Sequence, residues 1–103
     1  MARSMGMAAL RVLQAVAGGA EYGFDIIDAT GLASGTVYPA LSRHERDGYV
    51  KSSWEDPRRA HQERRPPRRY YRVTAEGKRA LEAVLDVIGG AVARRARPAR
   101  ARS

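Results

Sequence analysis

The stretch from Thr30 to Val50, T-G-L-A-S-G-T-V-Y-P-A-L-S-R-H-E-R-D-G-Y-V, constrains the fold of this chain more than any other. Val37, Ala40, Leu41 and His44 recur at i, i+3, i+4 and i+7, one side of a 3.6-residue helix, so that side faces a core. Gly35, Ser42 and Arg46 fall on the opposite side, with Thr36, Tyr38 and Arg43 on its flanks. Most of these outward groups hydrogen-bond or carry positive charge. Such a face suits the edges and phosphates of a DNA groove. Ser34 is the expected N-cap of this helix, and Gly48 its stop. Pro39 costs about 3 kcal/mol in a helix interior. Here it sits near the first turn, and the carbonyl its ring would crowd belongs to Gly35.

The flanking segments predict a small, mainly α domain with one β-hairpin. Residues 5–17 read as a helix, with Leu10, Leu13 and Ala17 in helical spacing, ended by Gly18-Gly19. Tyr22 to Thr30 reads as a second, short helix with Phe24 and Ile27 inward, and Ile26 as a further candidate. Gly31 reverses the chain and Leu32 packs under the turn. Tyr49 to Glu55 reads as a strand with Val50 and Trp54 as packing residues, and Arg68 to Val73 as its antiparallel partner. The intervening D-P-R-R-A-H-Q-E-R-R-P-P is too polar to pack, and its proline and arginine content argues against a helix. Thr74 can cap a last helix, in which Leu81, Val84, Leu85, Ile88 and Val92 form one apolar stripe. The expected organisation is a helix–turn–helix with a basic hairpin over 1–74, a helix over 75–93, and a basic disordered tail over 94–103.

Charge is unevenly placed. The net formal charge is +8. Residues 1–55 hold five Lys/Arg against six Asp/Glu, and residues 56–103 hold fourteen against five. The excess is mostly arginine, whose planar fork suits phosphates and guanine edges. The chain has no cysteine, which excludes disulfides, thiolate metal sites and cysteine nucleophiles. His44 and His61 are its only histidines, and they form no ligand motif. No phosphate-binding loop is present. The expectation is a non-enzyme without cofactor or metal. No apolar run approaches the ~18–20 residues needed to span a bilayer, and the first residues lack a secretory signal, so a cytoplasmic bacterial location is expected.

Four motifs in order, S-G-T-V-Y-P-A-L, E-R-D-G-Y-V, W-E-D-P and R-R-Y-Y-R-V-T-A-E-G, resemble the PadR family of bacterial winged-helix transcriptional regulators. The resemblance covers about Met7 to Ile88. It implies a winged helix-turn-helix with a C-terminal dimerisation helix, in the manner of the short family members. It further implies a homodimeric, DNA-binding protein, usually a repressor. In the family the tyrosine matching Tyr38 lies in the recognition helix, and that role is carried over to Tyr38. Two positions depart from the pattern. His44 stands where the family usually has leucine, and Tyr49 replaces a small aliphatic residue.

The expected partner is double-stranded DNA. Ser34, Gly35, Thr36, Tyr38, Ser42, Arg43 and Arg46 are the candidates on the third helix, with Arg58, Arg59, Arg64, Arg65, Arg68 and Arg69 in the wing. Leu10, Leu13, Leu81, Val84, Leu85, Ile88 and Val92 are the candidates for a homodimer interface. Two other readings compete: a non-specific nucleic-acid binder driven by the arginines, and a protein-docking module on a winged-helix frame. The residues assign neither an effector nor an operator.

Overall fold

The structure, a computed structural model, describes residues 5–100, with side chains described through residue 90. Five helices and two strands follow in the order α1 (Met7–Ala17), α2 (Gly23–Thr30), α3 (Ser34–Arg46), β1 (Val50–Trp54), α4 (Pro57–Gln62), β2 (Arg69–Val73) and α5 (Ala75–Arg100). The strands pair antiparallel, with Val50 opposite Val73 and Trp54 opposite Arg69. The segment joining α1 to α2 lies along the free side of β2. Tyr71 N–H donates to the Glu21 carbonyl at 2.7 Å, and Tyr22 forms a bridge to Tyr70. This is the mainly helical, hairpin-bearing fold the sequence implies.

The core is built where α1 crosses α2 and α3. Leu10, Val12, Leu13 and Val16 of α1 meet Ile26 of α2, Val37 and Leu41 of α3, Val50 of β1 and Leu81 of α5. Leu10 and Leu13, expected to contact a second subunit, are therefore spent inside the single chain, Leu13 being 0% exposed. Leu32 packs on the edge of this core, as the turn after Gly31 requires. Gly31 itself adopts φ 70°, a left-handed conformation that glycine takes without a Cβ penalty.

Several local expectations are corrected. In α2 the buried face is Gly23, Ile26 and Thr30, which turns Phe24 outward to 74% exposure. Ile26 and Thr30 are an i, i+4 pair, and Thr30 Oγ1 donates back to the Ile26 carbonyl at 2.7 Å. The short helix has room for only one such face. Trp54, expected to pack, is 67% exposed: it shares the strand face of Val50, but among the described residues nothing buries that far end of β1. Ala33, not Ser34, is the N-cap of α3, and no side chain caps that end.

The segment between the strands contains a helix where a loop was expected. Asp56 caps it by accepting from Arg58 N–H at 2.9 Å, Pro57 fills its first position, and Ala60 is buried beneath it. An N-cap aspartate followed by proline is a strong start signal that outweighs the polar composition. At the other end, Thr74 caps α5 as expected: its Oγ1 accepts from Gly77 N–H at 3.0 Å and donates to the Gly48 carbonyl at 2.6 Å. The first turns of α5 pack on α1 and β2. The helix then continues to Arg100, beyond the expected boundary at residue 93, through a segment of alanine and arginine that also holds Pro98. The side chain of Val92 and residues 101–103 lie outside the described part.

Candidate nucleic-acid interface

The position of α3 follows from its buried face. Val37 and Leu41 enter the core, and His44 lies one turn further on at 1% exposure. His44 Nε2 lies 2.7 Å from the Ala9 carbonyl oxygen of α1, so the ring donates its proton there. Nδ1 is buried without a partner. Burial pushes the His44 pKa down, and the Ala9 contact opposes this only in part. The helix is thereby held by a neutral imidazole.

Everything on the other side of α3 is open. Ser34, Gly35, Thr36, Tyr38, Ser42, Arg43 and Arg46 are all exposed, as the helical period predicts. Because no side chain caps the helix start, its first N–H groups stay available to an acceptor. Glu45 does not neutralise its neighbour Arg46. It accepts instead from Ser52 Oγ at 2.6 Å and pairs with Arg69 at 3.3 Å, which ties α3 to the hairpin.

The wing arginines divide by task. Arg58, Arg59 and Arg64 are exposed on and after α4. Arg58 pairs with Asp56 at 3.5 Å and Arg59 with Glu63 at 3.8 Å, both at the surface. Exposed pairs of this kind contribute little and leave the cations free to exchange partners. Arg65 is different. Its side chain is only 18% exposed and donates to both oxygens of Glu55, at 2.5 and 2.8 Å. Arg65 is thus an internal fastener of the wing, not a free contact for a phosphate. Arg68 stacks on Tyr22 with its guanidinium carbon 4.1 Å from the ring centroid. Arg69 divides itself between Glu45 and the face of Trp54, 5.6 Å from that ring's centroid.

Sequence reasoning passed over Glu55 altogether. It accepts from Arg65, from Arg68 N–H at 3.2 Å and from Tyr70 Oη at 3.2 Å. The Arg65 guanidinium, with these further donors, holds its carboxyl at about 2. The available signal was a single acid at the end of a strand facing a run of arginines. Phe24 and Trp54, which the sequence pattern places inward, both lie on this side of the molecule beside Tyr38.

Among the described residues no group of three or more His, Asp or Glu side chains is placed to hold a metal ion. No helix there is long and apolar enough to cross a membrane.

Comparison with known proteins agrees with this arrangement. A PadR family transcription regulator from Clostridium difficile R20291 superposes with a TM-score of 0.72 at 25% identity, covering 87% of this chain and 97% of that one. A PadR-like transcription factor from Bacteroides fragilis gives 0.68 at 26% identity over 88% and 91% of the two chains. A PadR family transcriptional regulator from Eggerthella lenta gives 0.61 at 27% identity over 85% and 79%. No curated protein matches the sequence. The sequence pattern of the family described as "Transcriptional regulator PadR-like family" matches residues 12–83. Its members are transcription regulators and not enzymes, and the fold supports DNA-binding transcription regulation. The chain belongs to the PadR-like family of transcriptional regulators.

Proposed function

We propose that this chain acts as a homodimeric repressor that binds a pseudo-palindromic operator. α3 enters the major groove and the wing follows the adjacent minor groove, with half-sites one turn apart, ~34–36 Å. One observation carries the reading: the outward face of α3 is polar, cationic and exposed, and its Tyr38 shares a groove with Arg68 and Arg69 of the wing. Ser34, Gly35, Thr36, Ser42, Arg43 and Arg46 supply hydrogen bonds and charge along the helix. Tyr38, Arg68 and Arg69 line the space between helix and wing. Repression follows if the operator overlaps a promoter, and a cytoplasmic location goes with that role.

Dimerisation is supported by α5. Leu81 and Val84 reach the protomer core, but Leu85 and Ile88 remain 38% and 39% exposed on the same stripe. Their pairing with a second copy removes apolar area from water and sets the spacing of two α3 helices.

The test is a selection from a random pool of duplex DNA at near-physiological salt, with sequencing of what is retained. A palindromic motif with half-sites one turn apart is the expected result. Retention without a motif would leave an electrostatic binder, and no retention would favour a protein-docking role. If a dimer neutralises ~8 phosphates, log affinity falls against log salt with a slope near −7.

A further inference from the structure

We infer that a groove between α2, α3 and the wing seats one sugar–phosphate strand of the DNA, with Phe24 and Trp54 against the sugars and Arg68 on a phosphate. This rests on the DNA-binding reading above and adds to it Phe24 and Trp54, which lie outside the expected contact set. Single exposed apolar side chains are ordinary on a protein surface. Here, however, the exposed side chains of Phe24 and Trp54, at 74% and 67%, border the same groove, of about 530 Å³, together with Tyr38 and the Pro66-Pro67 arm. That convergence calls for an occupant.

The charge of the groove identifies it. Of the three arginines on its rim, Arg65 is held by Glu55 and Arg69 by Glu45. Among the described residues the Arg68 guanidinium has no carboxylate partner, and its carbon lies over the Tyr22 ring, 4.1 Å from the centroid. An apolar floor beside one unpaired cation matches a chain of alternating sugars and phosphates. The topology agrees. A duplex that meets α3 in its major groove and the wing in the next minor groove carries one backbone strand between them. The groove lies between those two elements, with Tyr38 from one and Arg69 from the other on its wall.

Contact with the sugars is apolar, so salt does not screen it, whereas a phosphate contact releases counterions. The two kinds of residue are therefore separable. Trp54 is the only tryptophan of the chain, so its emission reports on the groove without a label. The full chain is titrated with a fluorescein-labelled duplex of about 30 base pairs, following anisotropy for binding and tryptophan emission for the groove, from 50 to 200 mM salt. The expected result is a change in Trp54 emission that saturates with the anisotropy. Phe24→Ala and Trp54→Ala are expected to weaken binding about five- to tenfold at every salt, with an unchanged slope. Arg68→Ala is expected to lower the slope by about one. Both rings are exposed, so unchanged thermal melts would show that the variants fold. Binding that persists with unmoved Trp54 emission and a wild-type Kd for Phe24→Ala would overturn the groove while leaving the DNA reading intact. Absence of binding by anisotropy would overturn both.

Discussion

Glu55 and Arg65 lock the two arms of the wing together. The carboxylate directly follows β1, the guanidinium stands ten residues later beyond α4, and both oxygens of the acid receive N–H donors from the one arginine. The pair closes a loop that carries Arg58, Arg59 and Arg64 outward. Its geometry is bidentate and largely shielded, the arrangement in which an arginine–carboxylate pair is strongest.

Glu55→Gln should therefore loosen the wing while leaving the helical core folded. The expected outcome is a fall of several degrees in Tm and faster amide exchange over residues 56–68, with a DNA affinity about tenfold weaker. Arg65→Ala should reproduce it. Conversely, if Arg65 served mainly as a phosphate contact, Arg65→Ala would weaken DNA binding and leave exchange over the loop unchanged. The same pair has a pH signature. The Glu55 pKa is depressed to about 2 from near 4.5, so its stabilisation is complete above about pH 4.5 and is lost as pH falls from there toward 2.

His44 predicts a second, milder acid sensitivity. Its pKa is lowered by burial, so the unfolded chain takes up a proton at a higher pH than the fold does. Stability is then complete above the unfolded value near 6.5 and declines as pH falls below it. His44→Leu, similar in volume and free of the unpartnered Nδ1, should abolish that decline and change stability at pH 8 by less than about 1.5 kcal/mol. Urea melts at pH 5, 6 and 8 decide it, and a decline that survives the substitution would assign the effect elsewhere.

Gly77 sets the approach of α5 to the hairpin. A Cβ added there would overlap the Tyr49 carbonyl oxygen and press on Val73 Cγ2 at 2.8 Å. Alanine improves helix propensity by only about 1 kcal/mol. Displacing a backbone carbonyl in a packed region costs about 1–3 kcal/mol or more, so the clash wins. Gly77→Ala should lower unfolding stability, measured by thermal or urea melts. A rise in stability would mean that α5 docks differently.

Leu85→Arg and Ile88→Arg test the exposed stripe of α5. Both side chains are partly exposed in the single chain, so each variant should keep its melting cooperativity at low concentration. Sedimentation should show a shift from dimer to monomer. Operator binding should weaken at least a hundredfold as the two half-sites lose their linkage. A dimer that survives both changes would move the interface off this stripe.

Periodicity alone made much of the molecule legible. The inward Val37, Leu41 and His44 and the outward polar face of α3 follow from a 3.6-residue repeat, and Gly31, Gly48 and Thr74 mark where helices stop and start. These are local relations between residues a few positions apart, and local backbone chemistry enforces them wherever the chain folds. The choice between Phe24 and Ile26 in an eight-residue helix was not local. Both are apolar, and only the neighbouring α1 and α3 decide which of them finds a cavity. Nor could a list of wing arginines reveal that Arg65 is already occupied, because Glu55 reaches it across a loop that first had to be folded by the Asp56 cap. The sequence by itself determined the elements, their faces and the family motifs. Tertiary structure decided which exposed rings share a groove and which cations are left for a partner, because those outcomes depend on side chains brought together from distant segments.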